Sequence, residues 1–115
     1  MASLGMALPL LPGKAQSWKR WVQEMAGPRL SEYQASRKRL GITREASFLQ
    51  QTPQGDMAVL YIEAEDIARV FQGLAGSQEP FDVLFRQRTK DFFGLDLTQP
   101  PVGPPPETIL DWRAD

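Results

Sequence analysis

Histidine and cysteine are both absent from this chain. Without imidazole there can be no Ser-His-Asp triad, histidine zinc site, two-histidine-one-carboxylate iron centre or imidazole-ligated haem. Without thiols, disulfides, thiolate metal sites, iron–sulfur clusters and cysteine nucleophiles are excluded as well. Neither G-x-x-x-x-G-K-S/T nor G-x-G-x-x-G occurs, so no phosphate-cradling loop is visible. The formal net charge is only −1, which leaves no basic field to draw nucleic acid or an anionic membrane. The RNP-type string of an RNA-binding sheet is also missing. No apolar run approaches the ~20 residues of a membrane-spanning helix. The apolar beginning carries no Lys or Arg before Lys14 and is broken by Pro9, which fits a first β-strand better than an export signal. The chemistry that survives belongs to carboxylates, Lys, Arg, Tyr and Trp. We therefore expect no metal and no cofactor, and the lack of cysteine fits a reducing cytoplasm.

What is present reads as one globular domain over residues 1–115, with 42% hydrophobic and 23% charged residues. After the first strand, Pro12-Gly13 turns the chain into a helix whose Trp18, Trp21, Val22 and Met25 recur at helical spacing. Gly27-Pro28 interrupts it. A second helical piece runs through Leu30, Tyr33, Arg37 and Leu40, and Gly41 ends it. Residues 42–51 and 56–64 read as two strands joined by the turn Thr52-Pro-Gln-Gly55. That turn sets Gln51 opposite Asp56, and hence Phe48 opposite Val59, Ala46 opposite Tyr61 and Arg44 opposite Glu63. The other face pairs Leu49 with Ala58, Ser47 with Leu60 and Glu45 with Ile62. Two short helices follow, one with Ile67, Val70, Phe71 and Leu74 inward, the next starting at Pro80 and stopping at Gly94. A polyproline-like connection over residues 99–106 leads to a last strand at residues 108–112.

The order β–α–β–β–α(α)–β predicts an α+β fold, the ferredoxin-like βαββαβ antiparallel four-stranded sheet with helices on one face. The opposite face is too apolar to stay wet, so a homodimer is expected to cover it.

Five residues stand out as candidates for binding a small organic ligand: Arg44, Glu63, Tyr33, Arg37 and Asp111. Arg44 and Glu63 form a cross-strand pair that is either a structural ion pair or, inside a pocket, a means of polarising a carboxylate or carbonyl. Tyr33 and Arg37 lie one helical turn apart, either lining the same cavity or combining a core Tyr with a snorkelling Arg. Asp111 reads equally as an internal acid or an edge charge. Glu63, Glu65 and Asp66 make the densest acidic cluster, but carboxylates at a strand end diverge, and the nearby helix start favours negative charge without any metal. Trp18 and Trp21 read as core.

Several strings look familiar together: Glu32-Tyr33-x-x-Ser36-Arg37-x-Arg39-Leu40-Gly41-Ile42, Phe48-Leu49-Gln50-x-Thr52-Pro53-Gln54-Gly55-Asp56, Pro80-Phe81-Asp82, and Pro104-Pro105-Pro106-Glu107-x-Ile109-Leu110-Asp111-Trp112-Arg113. Through them the chain resembles a small bacterial family of uncharacterised proteins in the dimeric α/β-barrel, ferredoxin-like superfamily. The resemblance implies a dimer with a ligand cavity between each sheet and its helices. Members of that superfamily include cofactor-free monooxygenases, haem-handling enzymes, isomerases, mutarotases and stress proteins. No catalytic residue carries over, and the haem branch lacks a histidine here. Two functions compete: a non-catalytic small-molecule binder, and a cofactor-independent enzyme of monooxygenase or isomerase type acting on a small organic substrate.

Overall fold

The turn at residues 52–55 organises the sheet. In the computed structural model, which describes residues 1–101 and 103–114, β2 (Ile42–Thr52) and β3 (Gly55–Ala64) pair antiparallel. Gln51 meets Asp56, Phe48 meets Val59 and Arg44 meets Glu63, the register expected from the turn. Gly55 takes φ +129, a value open to glycine and strained for other residues. β1 (Ala2–Pro9) pairs with the other side of β3, so the strand order is β1-β3-β2.

Among the described residues, the helices are α1 (Ala15–Ala26), α2 (Leu30–Leu40), α3 (Ile67–Gly76) and α4 (Pro80–Phe93). α2 ends where Gly41 adopts the left-handed conformation, φ +82. The Asp66 carboxylate caps α3 by accepting the backbone N–H of Arg69 at 3.2 Å. Alternation in the strands sends Leu4, Ala58, Ile62 and Ala64 toward the helices, where two apolar clusters form. One gathers Trp18, Trp21, Met25, Phe81 and Phe92; the other gathers Leu4, Leu40, Ile62, Val70 and Leu74. Trp21 stacks on Phe81 with ring centroids 6.1 Å apart. The opposite sheet face carries Ala46, Phe48, Val59 and Tyr61, none of which belongs to either cluster, and Phe48 is 59% exposed.

The expectation of a four-stranded ferredoxin-like βαββαβ sheet, and with it a dimeric α/β barrel, is corrected here. Among the described residues the sheet has three strands, and the architecture is an α+β fold with four helices. Residues 108–112 form no ladder, and Ile109, Leu110 and Trp112 stay 85%, 82% and 75% exposed. Their composition suits a strand, but a strand exists only where an edge accepts its hydrogen bonds, and that is a tertiary choice. The end of the segment approaches the sheet through charge, with Arg113 4.0 Å from Glu63. Val102, in the proline-rich connection, and Asp115 lie outside the described residues. No helix among the described residues is long and apolar enough to cross a membrane.

Candidate functional site

A local irregularity in β2 shapes the site. The ladder shifts between Ile42, opposite Ala64, and Arg44, opposite Glu63, which leaves Thr43 as an extra residue. Strict alternation would send Ile42 and Glu45 to opposite faces, but across the bulge both face the helices. Ile42 joins the apolar cluster under α3, and Glu45 turns a carboxylate into the space beneath α2.

Tyr33 and Arg37, one turn apart on α2, meet that carboxylate. The Arg37 Nε–H donates to Glu45 Oε1 at 2.9 Å, and the Tyr33 hydroxyl donates to the same oxygen. The guanidinium lies between two rings, its Cζ 4.8 Å from the Tyr33 centroid and 4.4 Å from that of Phe85. Behind it, Arg37 Nη1 donates to Ser36 Oγ at 3.1 Å, and the Ser36 hydroxyl donates in turn to Asp82 Oδ1. Asp82 also accepts from Ser77 at 2.6 Å and from Arg39 at 3.3 Å. Ser36 and Asp82 are sealed from solvent and Arg37 nearly so. A hydrogen-bonded chain thus runs from a buried carboxylate on α4 to an arginine held by packing and hydrogen bonds on three sides.

Burial raises the Tyr33 phenol to about 12, helped by the adjacent Glu45 charge. Burial would also raise the Asp82 carboxyl, but hydrogen bonds from Ser36, Ser77 and Arg39 outweigh it and hold the group below the ordinary carboxylate range.

Tyr33, Arg37 and Glu45 line a cavity of about 420 Å³ between sheet and helices. Its walls are mainly apolar, including Leu8, Trp21, Leu60, Phe71 and Phe93, and its only charged lining residues among those described are Arg37 and Glu45. A volume in this range, largely apolar with a few fixed polar groups, is the usual form of a small-molecule site.

The five sequence candidates fall into two groups on opposite sides of the sheet. Tyr33 and Arg37 line the cavity. Arg44 and Glu63 lie on the open face, 4.0 Å apart, with the Arg44 side chain 68% exposed. Tyr61 donates to Glu63 at 2.6 Å, a bond that raises the Tyr61 phenol. Asp111, in the exposed tail, contacts Arg113 at 3.8 Å and through it belongs to this outer group. Glu63, Glu65 and Asp66 do not gather into a metal-holding cluster. Sequence reasoning missed Glu45. Its signal lay in the hairpin register, where it is a lone carboxylate on the face shared by Leu49, Leu60 and Ile62.

No curated protein and no solved structure matches the chain. Residues 6–98 match the model of a family of unknown function (DUF6176), and the chain belongs to that family. Every residue lining the cavity falls within the matched span.

Proposed function

We propose that this protein binds a small organic molecule with an apolar body in the cavity between sheet and helices, its polar end against Arg37 and Glu45. The observation that carries this reading is the lining itself: apolar walls surrounding one charged pair that is held rigidly from behind. A largely desolvated Arg–carboxylate pair adds little to stability by itself, because desolvation offsets much of its attraction. As a fixed polar handle in an apolar site it has a use. A thermal-shift screen of small apolar compounds on the wild type and on Glu45→Gln tests this. Hits that depend on Glu45 are expected; a screen whose hits all persist unchanged in the mutant would move the site elsewhere.

The same pair also supports the catalytic alternative, a cofactor-independent proton transfer. Arg37 would polarise a carbonyl while Glu45 accepts a proton from the adjacent carbon. Exchange of a bound ketone's α-hydrogens with deuterated water, lost in Glu45→Gln, is the expected signature; no exchange from any bound ketone would leave a binder only.

We further propose that the chain forms a homodimer. Support comes from the open sheet face with its exposed Phe48 and from the exposed Ile109, Leu110 and Trp112 of the tail. Apolar surface gathered in this way is costly to leave in water. Light scattering after gel filtration is expected to give twice the chain mass, and a monomer at micromolar concentration would defeat the dimer.

A further inference from the structure

Two side-chain atoms of the cavity-lining pair Arg37 and Glu45 have no hydrogen-bond partner among the described residues. Arg37 uses Nε on Glu45 and Nη1 on Ser36, leaving Nη2 free. Glu45 Oε1 accepts from both Arg37 and Tyr33, leaving Oε2 free. Neither atom is sealed away, since no fully buried side-chain nitrogen or oxygen among the described residues lacks a partner. One donor and one acceptor are therefore on offer, on two residues already joined at 2.9 Å through Nε and Oε1.

The charges around this pair cancel. Arg37 pairs with Glu45, and Asp82, reached through Ser36, pairs with Arg39 at 3.3 Å. An arriving carboxylate could reach Arg37 only by lying against the Glu45 carboxylate, and an ammonium group could reach Glu45 only by lying against Arg37. In a site walled by apolar side chains, either approach desolvates a charge without giving it a partner of its own. A neutral group that accepts with one atom and donates with the next meets neither penalty.

We infer that the cavity selects neutral ligands whose polar end sets a carbonyl acceptor beside an N–H or O–H donor, a carboxamide or hydroxy-carbonyl, and discriminates against carboxylates and ammonium ions with the same apolar body. The inference rests on the proposed binding role and adds the class of head group. The carbonyl accepts from Arg37 Nη2, and the donor gives to Glu45 Oε2. The pair of free atoms reads the head group, and the walls set the size of the body.

Isothermal calorimetry with octanamide, octanoate and octylammonium at neutral pH tests it, the three probes differing only at the head. Octanamide is expected to bind the wild type at least about tenfold more tightly than either ion. Glu45→Gln, which keeps the shape and removes the negative charge, should improve octanoate relative to octanamide by about tenfold. Arg37→Gln, which removes the positive charge instead, should improve octylammonium relative to octanamide by about tenfold and gives a second test if Glu45→Gln is unstable. Octanoate binding the wild type as tightly as octanamide, or an unchanged ratio in Glu45→Gln, overturns the inference while leaving the binding role intact. Failure of all three probes to bind the folded wild type removes the binding role and the inference together.

Discussion

The hydroxyl of Ser36 donates to Oδ1 of Asp82 at 2.5 Å, tying α2 to α4 with both side chains closed to solvent. The carboxylate has three donors, and each would be left without its acceptor if the carboxylate were lost.

Replacing Asp82 by Ala should therefore destabilise the fold by roughly 3 kcal/mol or more, since hydrogen bonds to a buried charge and the groups orphaned by its loss both count. Ser36→Ala should cost less, about 1–2 kcal/mol, because Asp82 keeps two other donors. Urea melts give the ranking; a larger loss for Ser36→Ala would mean that Asp82 is not the centre of this cluster.

Acid should act through the same carboxylate. Its folded-state pKa lies below the ordinary value, so the stability it contributes is present above pH ~4 and is lost as pH falls further. The difference in unfolding free energy between wild type and Asp82→Asn should shrink below that point. A difference that stays constant down to the folded-state pKa would argue against an ionised Asp82.

Alkali should act at Tyr33. With the folded phenol near 12 and the unfolded one near 10, the stabilising contribution is complete below pH ~10 and declines as pH rises toward about 12. Solvent screening at the cavity side keeps the effect on the order of 1 kcal/mol. Tyr33→Phe should lack this decline, whereas Tyr61 is common to both proteins and cancels in the comparison. Parallel alkaline melting curves would contradict the part-buried Tyr33–Glu45 contact.

Aromatic residues on the two sides of the sheet should differ in their contribution. Phe81→Ala should cost about 3–5 kcal/mol, through lost transfer energy and a cavity beside Trp21 and Tyr33. Phe48→Ala, on the open face, should change the stability of an isolated chain by no more than about 0.5 kcal/mol. If the homodimer uses that face, Phe48→Ala instead weakens association, visible as a melting temperature that depends less on protein concentration. Equal losses for the two mutants in dilute solution would show that the sheet faces are misassigned.

Much of the fold was legible because local devices specify it. The turn at Thr52–Gly55 fixes the pairing of Phe48 with Val59 and Arg44 with Glu63, and Gly41 closes α2 whatever the tertiary context. The tail was not legible, because Ile109, Leu110 and Trp112 suit a strand in composition while pairing depends on a distant edge. The site was legible only in part. Tyr33 and Arg37 share a helical face by spacing alone, but their meeting with Glu45 depends on how α2 lies over β2, which no local pattern encodes. Arg44 and Glu63 were paired across strands from the turn. Their separation from Tyr33 and Arg37 depends on which face receives the helices, and with both faces rich in apolar residues that choice has no local signature.

The extra residue at Thr43 lets two registers coexist in one strand. Gly41 ends α2 and sets how Ile42 enters the sheet, while the turn at the far end sets the phase of Glu45. These two constraints differ by one residue, and Thr43 absorbs the difference, its hydroxyl donating to the Glu63 carbonyl at 3.1 Å. Thr43 therefore acts as slack between helix and hairpin. The helix that carries Tyr33 and Arg37 can settle onto the sheet without dragging Glu45 out of phase, so the contact between them survives a one-residue mismatch between helix end and hairpin.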